Sequence, residues 1–225
     1  MKIAVLMNNH SYVGREFVLA LNKNGIQFDI LVIDVGNNEI DEFEEERCGG
    51  LWIPPAFDDI SIVSRVFHFQ SLRDPYFLSH LTNSQYDIGI QGGVGILKRD
   101  VIDKFAKGIL NFHPGKLPFF RGCTTPEWQL LLKQKVVATC HLIAEGIDSG
   151  AILEHKELAL DYSSYERMRS SIYPMVALFV SDVIRSIIST KKVNSIEQDE
   201  KMAKYYKPVS ELDLIRLKKM FPIVF

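Results

Sequence analysis

Ile109-Leu-Asn-Phe-His-Pro-Gly-Lys-Leu-Pro-Phe-Phe-Arg-Gly122 is the stretch whose reading decides the fold. Ile109 to Phe112 reads as a short apolar strand. Pro114, Gly115, Pro118 and Gly122 then forbid regular structure, so the strand opens into a loop. Asn111 and His113 are two positions apart on extended backbone, which sends both side chains to one face. Pro114 biases His113 toward β or polyproline geometry and so fixes where the imidazole points. A second strand, Val136 to Ile143, runs into Glu145-Gly146-Ile147-Asp148-Ser149-Gly150, an Asp between glycines at a strand end. An amide, an imidazole and a carboxylate can meet at neighbouring strand ends: an oxyanion donor, a general base, and a group that orients and charges the base. Spacing alone leaves a hydrogen-bonded turn open as the plainer reading.

Working outward, Ile3 to Met7 is a buried strand, followed by the turn Asn8-Asn9-His10-Ser11. Val13, Phe17, Val18 and Leu21 recur at helical spacing up to Asn24-Gly25, and Ile26 to Ile33 is the next strand. Strand, turn, helix, strand is a βαβ unit, so the sheet is expected to be parallel with right-handed crossovers and ligands at the carboxyl strand ends. Asn8, Asn9 and His10 lie at such an end. They are candidates for a substrate phosphate or sugar, or one of them caps the helix.

The acidic stretch Glu39 to Arg47 reads as a solvated helix face, and Trp52 among prolines as packing, with a stack on a nucleobase as the alternative. Arg65 to Phe69 is a strand, Asp74-Pro75 opens a helix to about Leu81, and Tyr86 to Gln91 is a strand. Gln91-Gly92-Gly93-Val94-Gly95-Ile96-Leu97 follows, before a helix expected over 98–106. Its glycines let a ligand approach the backbone, but it lacks the Gly-x-Gly-x-x-Gly order of a NAD site. Thr125-Pro126 starts a helix through Lys133, and strands at 136–143 and 151–160 flank the Asp148 turn. His141 and His155 read as structural histidines. Ser163 or Ser164 opens a long amphipathic helix to about Ile188, with Ile172, Met175, Val176, Phe179, Val183 and Ile187 on one face.

A length of 225 residues, 47% of them hydrophobic and 24% charged, fits one soluble domain with a large core. The division expected is 1–190 as the catalytic domain and 191–225 as a C-terminal extension, where composition turns polar. A net charge of -2 gives no electrostatic footprint for nucleic acid. No run approaches the roughly 18 apolar residues of a membrane span, and the N-terminus reads as a first strand rather than a signal peptide. Cys48, Cys123 and Cys140 are widely spaced, and no His or Cys pair has metal-ligand spacing. The expectation is a cytoplasmic, reduced, metal-free protein.

The words Asn111, His113, Pro114, Leu117, Pro118, Arg121 and Gly122, then Asp148 and Gly150, resemble the folate-dependent formyltransferases. Their pattern is Asn-x-His-Pro-x-x-Leu-Pro-x-x-Arg-Gly followed by an Asp-x-Gly turn after the next strand. The resemblance spans roughly 1–190. It implies an α/β, Rossmann-like fold: a mostly parallel twisted sheet with helices on both faces, plus a short C-terminal extension. It implies catalysis by Asn111, His113 and Asp148. It implies N10-formyltetrahydrofolate as co-substrate, with backbone groups at Gly93, Val94, Ile96 and Leu97 on one side of the pterin slot and Ala144, Glu145 and Ile147 on the other. Pro114 and Arg121 join Asn8, Asn9 and His10 as implied substrate contacts.

Family members acting on ribonucleotides carry a glycine-rich phosphate turn, which Asn8 to Ser11 replaces. Members acting on tRNA carry a further basic C-terminal domain that about 35 residues cannot build. By elimination, and because Tyr205-Tyr206-Lys207-Pro208 resembles the tail of the sugar enzymes, the expected acceptor is a nucleotide-linked amino sugar. A dTDP-4-amino-4,6-dideoxy sugar for surface polysaccharide or O-antigen is the type, with the enzyme a homodimer. The alternatives are a phosphoribosylglycinamide formyltransferase of purine synthesis, a formyltetrahydrofolate hydrolase, and a non-catalytic folate- or sugar-binding relative.

Overall fold

The computed structural model describes residues 1–8, 10–34, 47–61 and 64–221. Asn9 and all of the acidic stretch except Arg47 lie outside them. The chain divides into two compact units. One comprises Met1–Glu42, Pro54–Asn111 and Ala177–Asn194, the other Phe43–Ile53, Phe112–Val176 and Ser195–Phe225.

The first unit alternates strands and helices: β1 (Ile3–Met7), α1 (Tyr12–Lys23), β2 (Asp29–Ile33), α2 (Phe57–Ser61), β3 (Arg65–Phe69), α3 (Pro75–Ser84), β4 (Ile88–Gly92), α4 (Arg99–Ile102) and most of β5 (Ile109–His113). Strands β2 and β4 pair with β1, β3 with β2, and β5 with β4, all parallel. Every residue of β1 and β2 is buried, which is why β1 and, after Asp29, β2 read as continuous apolar runs rather than alternating ones. Helix α1 packs tightly at the carboxyl strand ends because Gly14 has no side chain. A Cβ there would lie 2.8 Å from Met7 Cβ.

The second unit continues with β6 (Arg121–Gly122), α5 (Thr125–Leu131), β7 (Val137–Leu142), β8 (Ile152–Glu157), β9 (Tyr205–Tyr206) and α7 (Glu211–Lys218). The order across the seven-stranded sheet is β3-β2-β1-β4-β5-β7-β8, mostly parallel, with β8 antiparallel to β7. A separate two-stranded sheet pairs β6 with β9 in parallel.

The long helix α6 (Tyr165–Thr190) buries Ile172, Val176, Phe179, Val183 and Ile187, with Met175 half-buried. By length and composition it is apolar enough to cross a membrane, but 50% of that stretch is buried inside the protein, as for a core helix. Several boundaries differ from expectation by a few residues, the strand expected over 151–160 ending at Glu157 among them. The strand expected from Ile26 starts at Asp29. The helix expected over 98–106 stops at Ile102, because the Ala106 and Lys107 amides donate to the carbonyls of Tyr86 and Asp87 instead.

Candidate active site

His113 ends β5 and is buried. Its Nε2 lies 2.7 Å from the Phe120 carbonyl oxygen, which can only accept, so Nε2 carries the proton. The other ring nitrogen, Nδ1, faces Asp148 Oδ2 at 3.6 Å. Gly115 makes the fold-back possible, since a Cβ there would collide with the imidazole. The loop around the ring is tied down by side chains of several elements. Thr125 Oγ1 and Gln129 Nε2 on α5 both donate to the Pro114 carbonyl at 3.1 Å. Thr139 on β7 donates to Gly115 O and accepts from Leu117 N. His155 on β8 donates to Leu117 O at 2.9 Å, a structural role. Asn111 is two residues upstream on the same strand and half-buried.

Asp148 adopts φ +50°, left-handed backbone that Asp tolerates better than most residues. The turn must close tightly, because a Cβ on Gly150 would collide with the Leu142 carbonyl oxygen. Asp148 Oδ2 accepts from the Gly122 amide at 2.9 Å. On its other side His141 Nε2 stands 3.8 Å from Oδ1. His141 Nδ1 donates to Leu142 O at 2.8 Å, so the nitrogen facing Asp148 is the unprotonated one. Burial pushes the His141 pKa down to about 4, against the pull of the Asp148 charge. Asp148 is therefore flanked by two imidazoles, a neutral buried one and His113.

Arg121, expected at the substrate, is fully buried. Its Nε and Nη2 donate to Gln198 Oε1, Nη1 and Nη2 to the Glu200 carboxylate, and Nη1 to the Tyr205 hydroxyl. Every N–H of the guanidinium thus has an acceptor in the C-terminal segment. Beside it Tyr206 stacks on Phe120 at 5.2 Å between ring centres. Neither Arg121 nor Gln198 could be read as a pair from sequence, because 77 positions separate them.

In the first unit the glycine-rich loop is wound around Gln91. Its Oε1 accepts from the Gly93 and Val94 amides at 3.0 Å, and its Nε2 donates to Gly95 O at 2.7 Å. Gly93 and Gly95 have φ of +92° and +80°. Val94 and Leu97 are buried, while Ile96 is exposed. A Cβ on Gly95 would meet nothing within 4 Å. Gln91 is a residue the sequence reading missed. Its one signal was an amide placed directly before the glycines. In the second unit Ala144, Glu145 and Ile147 form an exposed turn ahead of Asp148.

Asn8 is buried and its Oδ1 accepts from the His10 amide, so it shapes the turn. Ser11, not Asn8 or His10, caps α1 by accepting from Gly14 N. A cavity of about 560 Å³ opens at the carboxyl ends of β1, β2 and β3, with Asn8, His10, Asp34, His68, Gln70 and Tyr76 among its lining residues. Trp52 is buried against Tyr173, ring centres 5.0 Å apart, which is packing. Among the described residues no group of His, Cys, Asp or Glu could hold a metal ion.

The family model described as formyl transferase matches residues 1–172. A methionyl-tRNA formyltransferase of Thermodesulfovibrio yellowstonii is 29% identical over 94 residues, 41% of this chain and 30% of that protein, so the match spans under a third of the relative's length. A 4-N formyltransferase from Francisella tularensis superposes with a TM-score of 0.62 at 17% identity, covering 97% of this chain and 87% of that one. An N-formyltransferase from Helicobacter canadensis, solved with folinic acid and dTDP-3-aminofucose, gives 0.60 at 14% identity, covering 95% and 72%.

Proposed function

This chain belongs to the formyl transferase family, and on that premise we propose that it transfers a formyl group from N10-formyltetrahydrofolate to the amine of a nucleotide-linked amino sugar. The observation that carries the reading is the His113–Asp148 pair: one ring nitrogen fixed on Phe120 O, the other turned to a carboxylate.

The folate supplies the formyl carbon and departs as tetrahydrofolate. His113 Nδ1 takes the proton shed when the amine bonds to that carbon, a role worth roughly 10²–10⁴-fold. The resulting imidazolium is held by Asp148. The Asn111 amide donates to the oxygen that gains charge, worth roughly 3–4 kcal/mol. The proton then passes to the departing nitrogen as the old C–N bond breaks, so the site is regenerated. The pterin is assigned to the glycine-rich loop from Gly93 to Leu97, where Gly95 faces open space and Ile96 is exposed.

The nucleotide end of the acceptor is assigned to the cavity lined by His10, Asp34, His68, Gln70, Asp74 and Tyr76, which offers ring faces for a base and acceptors for sugar hydroxyls. Pro114 joins that acceptor's contacts, whereas Arg121 is given a positioning role. The neighbour bound to dTDP-3-aminofucose supports an amino sugar. A homodimer in the cytoplasm is part of the same reading.

The test is purified protein with N10-formyltetrahydrofolate and a panel of dTDP- and UDP-linked amino sugars, glycinamide ribonucleotide and a no-amine control, following tetrahydrofolate release. Turnover with one nucleotide sugar supports the reading. Turnover with glycinamide ribonucleotide assigns purine synthesis instead, equal release without amine assigns a hydrolase, and no release in any arm removes the transferase reading.

A further inference from the structure

We infer that Gln198, in the C-terminal segment, is a positioning residue that holds the Asp148 turn in its reactive geometry. Gln198 Nε2 donates to the backbone carbonyls of Asp148 and Gly150, at 2.8 and 2.7 Å. Its Oε1 accepts from Arg121 Nη2 at 2.7 Å and Nε at 3.2 Å. The orientation of the amide is forced, because carbonyls only accept and a guanidinium only donates. An amide alone meets both demands at this position. A carboxylate has no proton for the carbonyls, and a hydrocarbon serves neither side.

The turn needs such a hold. Asp148 sits at φ +50° and Gly150 has no room to relax toward Leu142. The Asp148 side chain is held separately, by the Gly122 amide. Gly122 follows Arg121, and both neighbours of Gly122 pair with the C-terminal segment: Arg121 N donates to Lys204 O and Cys123 N to Tyr206 O. The main chain of the catalytic carboxylate and the amide that grips its side chain are thus both referred to residues 198–206. Gln198 is the link that reaches the turn itself. A displacement near 1 Å at a reacting group costs about 10²-fold in rate.

The experiment uses the full chain carrying Gln198→Glu, which keeps the acceptor for Arg121 and loses only the donor to the turn. Its control is Glu200→Gln, which keeps an oxygen for Arg121 and does not touch the turn. The first readout needs no substrate: amide hydrogen exchange at Gly122, Arg121 and Cys123 by NMR. In Gln198→Glu, exchange at Gly122 is expected to rise about 10-fold with Arg121 and Cys123 unchanged. In Glu200→Gln all three stay within about 2-fold. The second readout rests on the formyl-transfer reading: kcat of Gln198→Glu falls about 10²-fold, with KM for both substrates within about 3-fold.

Unchanged Gly122 exchange overturns the inference. So does equal loss of protection at Arg121 and Cys123, which would mean that the segment has merely undocked. A moved turn with wild-type kcat overturns it as well. If the wild type turns over no amine at all, the formyl-transfer reading fails, and the exchange experiment still decides whether Gln198 holds the turn.

Discussion

The loop that carries His113 and the turn that follows β1 are built on opposite plans. Around His113, side chains from α5, β7 and β8 hold the backbone at Pro114, Gly115 and Leu117. The β1–α1 turn is shaped by Asn8 and Ser11, residues of the turn itself, and the cavity beside it is lined by the exposed side chains of His10, Asp34, His68, Gln70 and Tyr76. On the proposed reading, proton transfer tolerates little displacement, which fits the many bonds around His113, and recognition of an acceptor needs only complementary surface, which fits the exposed side chains of the cavity.

The largest test of this contrast is His113→Asn. We expect kcat to fall by about 10²–10⁴-fold with folate affinity nearly unchanged, measured by single-turnover kinetics beside equilibrium binding. A loss under about 3-fold would leave the rigid loop with no chemical purpose. Next in size is Arg121→Met. Removing a buried guanidinium with five engaged N–H groups should lower unfolding free energy by about 3 kcal/mol, read from urea denaturation. Glu200 is solvent-exposed, so its stranded charge adds little to that loss.

A third test uses pH. The folded-state pKa of His141, about 4, lies below its ordinary 6.5. The unfolded chain therefore binds a proton that the native protein refuses. The stability tied to a neutral His141 is whole above pH 6.5 and is lost as pH falls toward 4. At pH 5 the loss is about 2 kcal/mol. His141→Phe should flatten the dependence between pH 7.5 and 5, and an unchanged slope would place the acid-sensitive group elsewhere. The smallest effect belongs to the adaptable region. His10→Ala should raise acceptor KM about 10-fold, near 1.4 kcal/mol, with kcat within about 2-fold. A kcat loss there instead would join His10 to the chemistry.

How much of this was legible follows from how local each signal is. The strand-and-loop order around Asn111 and His113, the Asp148 turn and the βαβ pattern all lie within short windows. Proline, glycine and side-chain period speak directly there. Arg121 was misjudged as a substrate contact because a cation in a loop looks solvent-facing. Only the pairing of β6 with β9 turns it inward. Gln91 stayed hidden because its partners are backbone groups, and Gln198 because it bonds distant backbone carbonyls and a guanidinium 77 positions away, which leave no mark in the sequence. His141 was read as a structural histidine and is buried, but the strand pattern does not reveal which carboxylate its open nitrogen meets. The helix expected from Lys98 was cut short by two long-range backbone bonds that no periodicity encodes.

The β6–β9 pairing also sets a timetable. Arg121 meets Tyr205 across 84 positions of chain. A polypeptide emerging N-terminus first can form β1 to β5 and their helices early, from contacts that close short loops. The grip on Asp148 must wait for residues 198–206. The first unit, which includes Ala177–Asn194, is itself completed only shortly before that segment. A chain halted upstream of Gln198 would lack the two hydrogen bonds that hold the Asp148 turn.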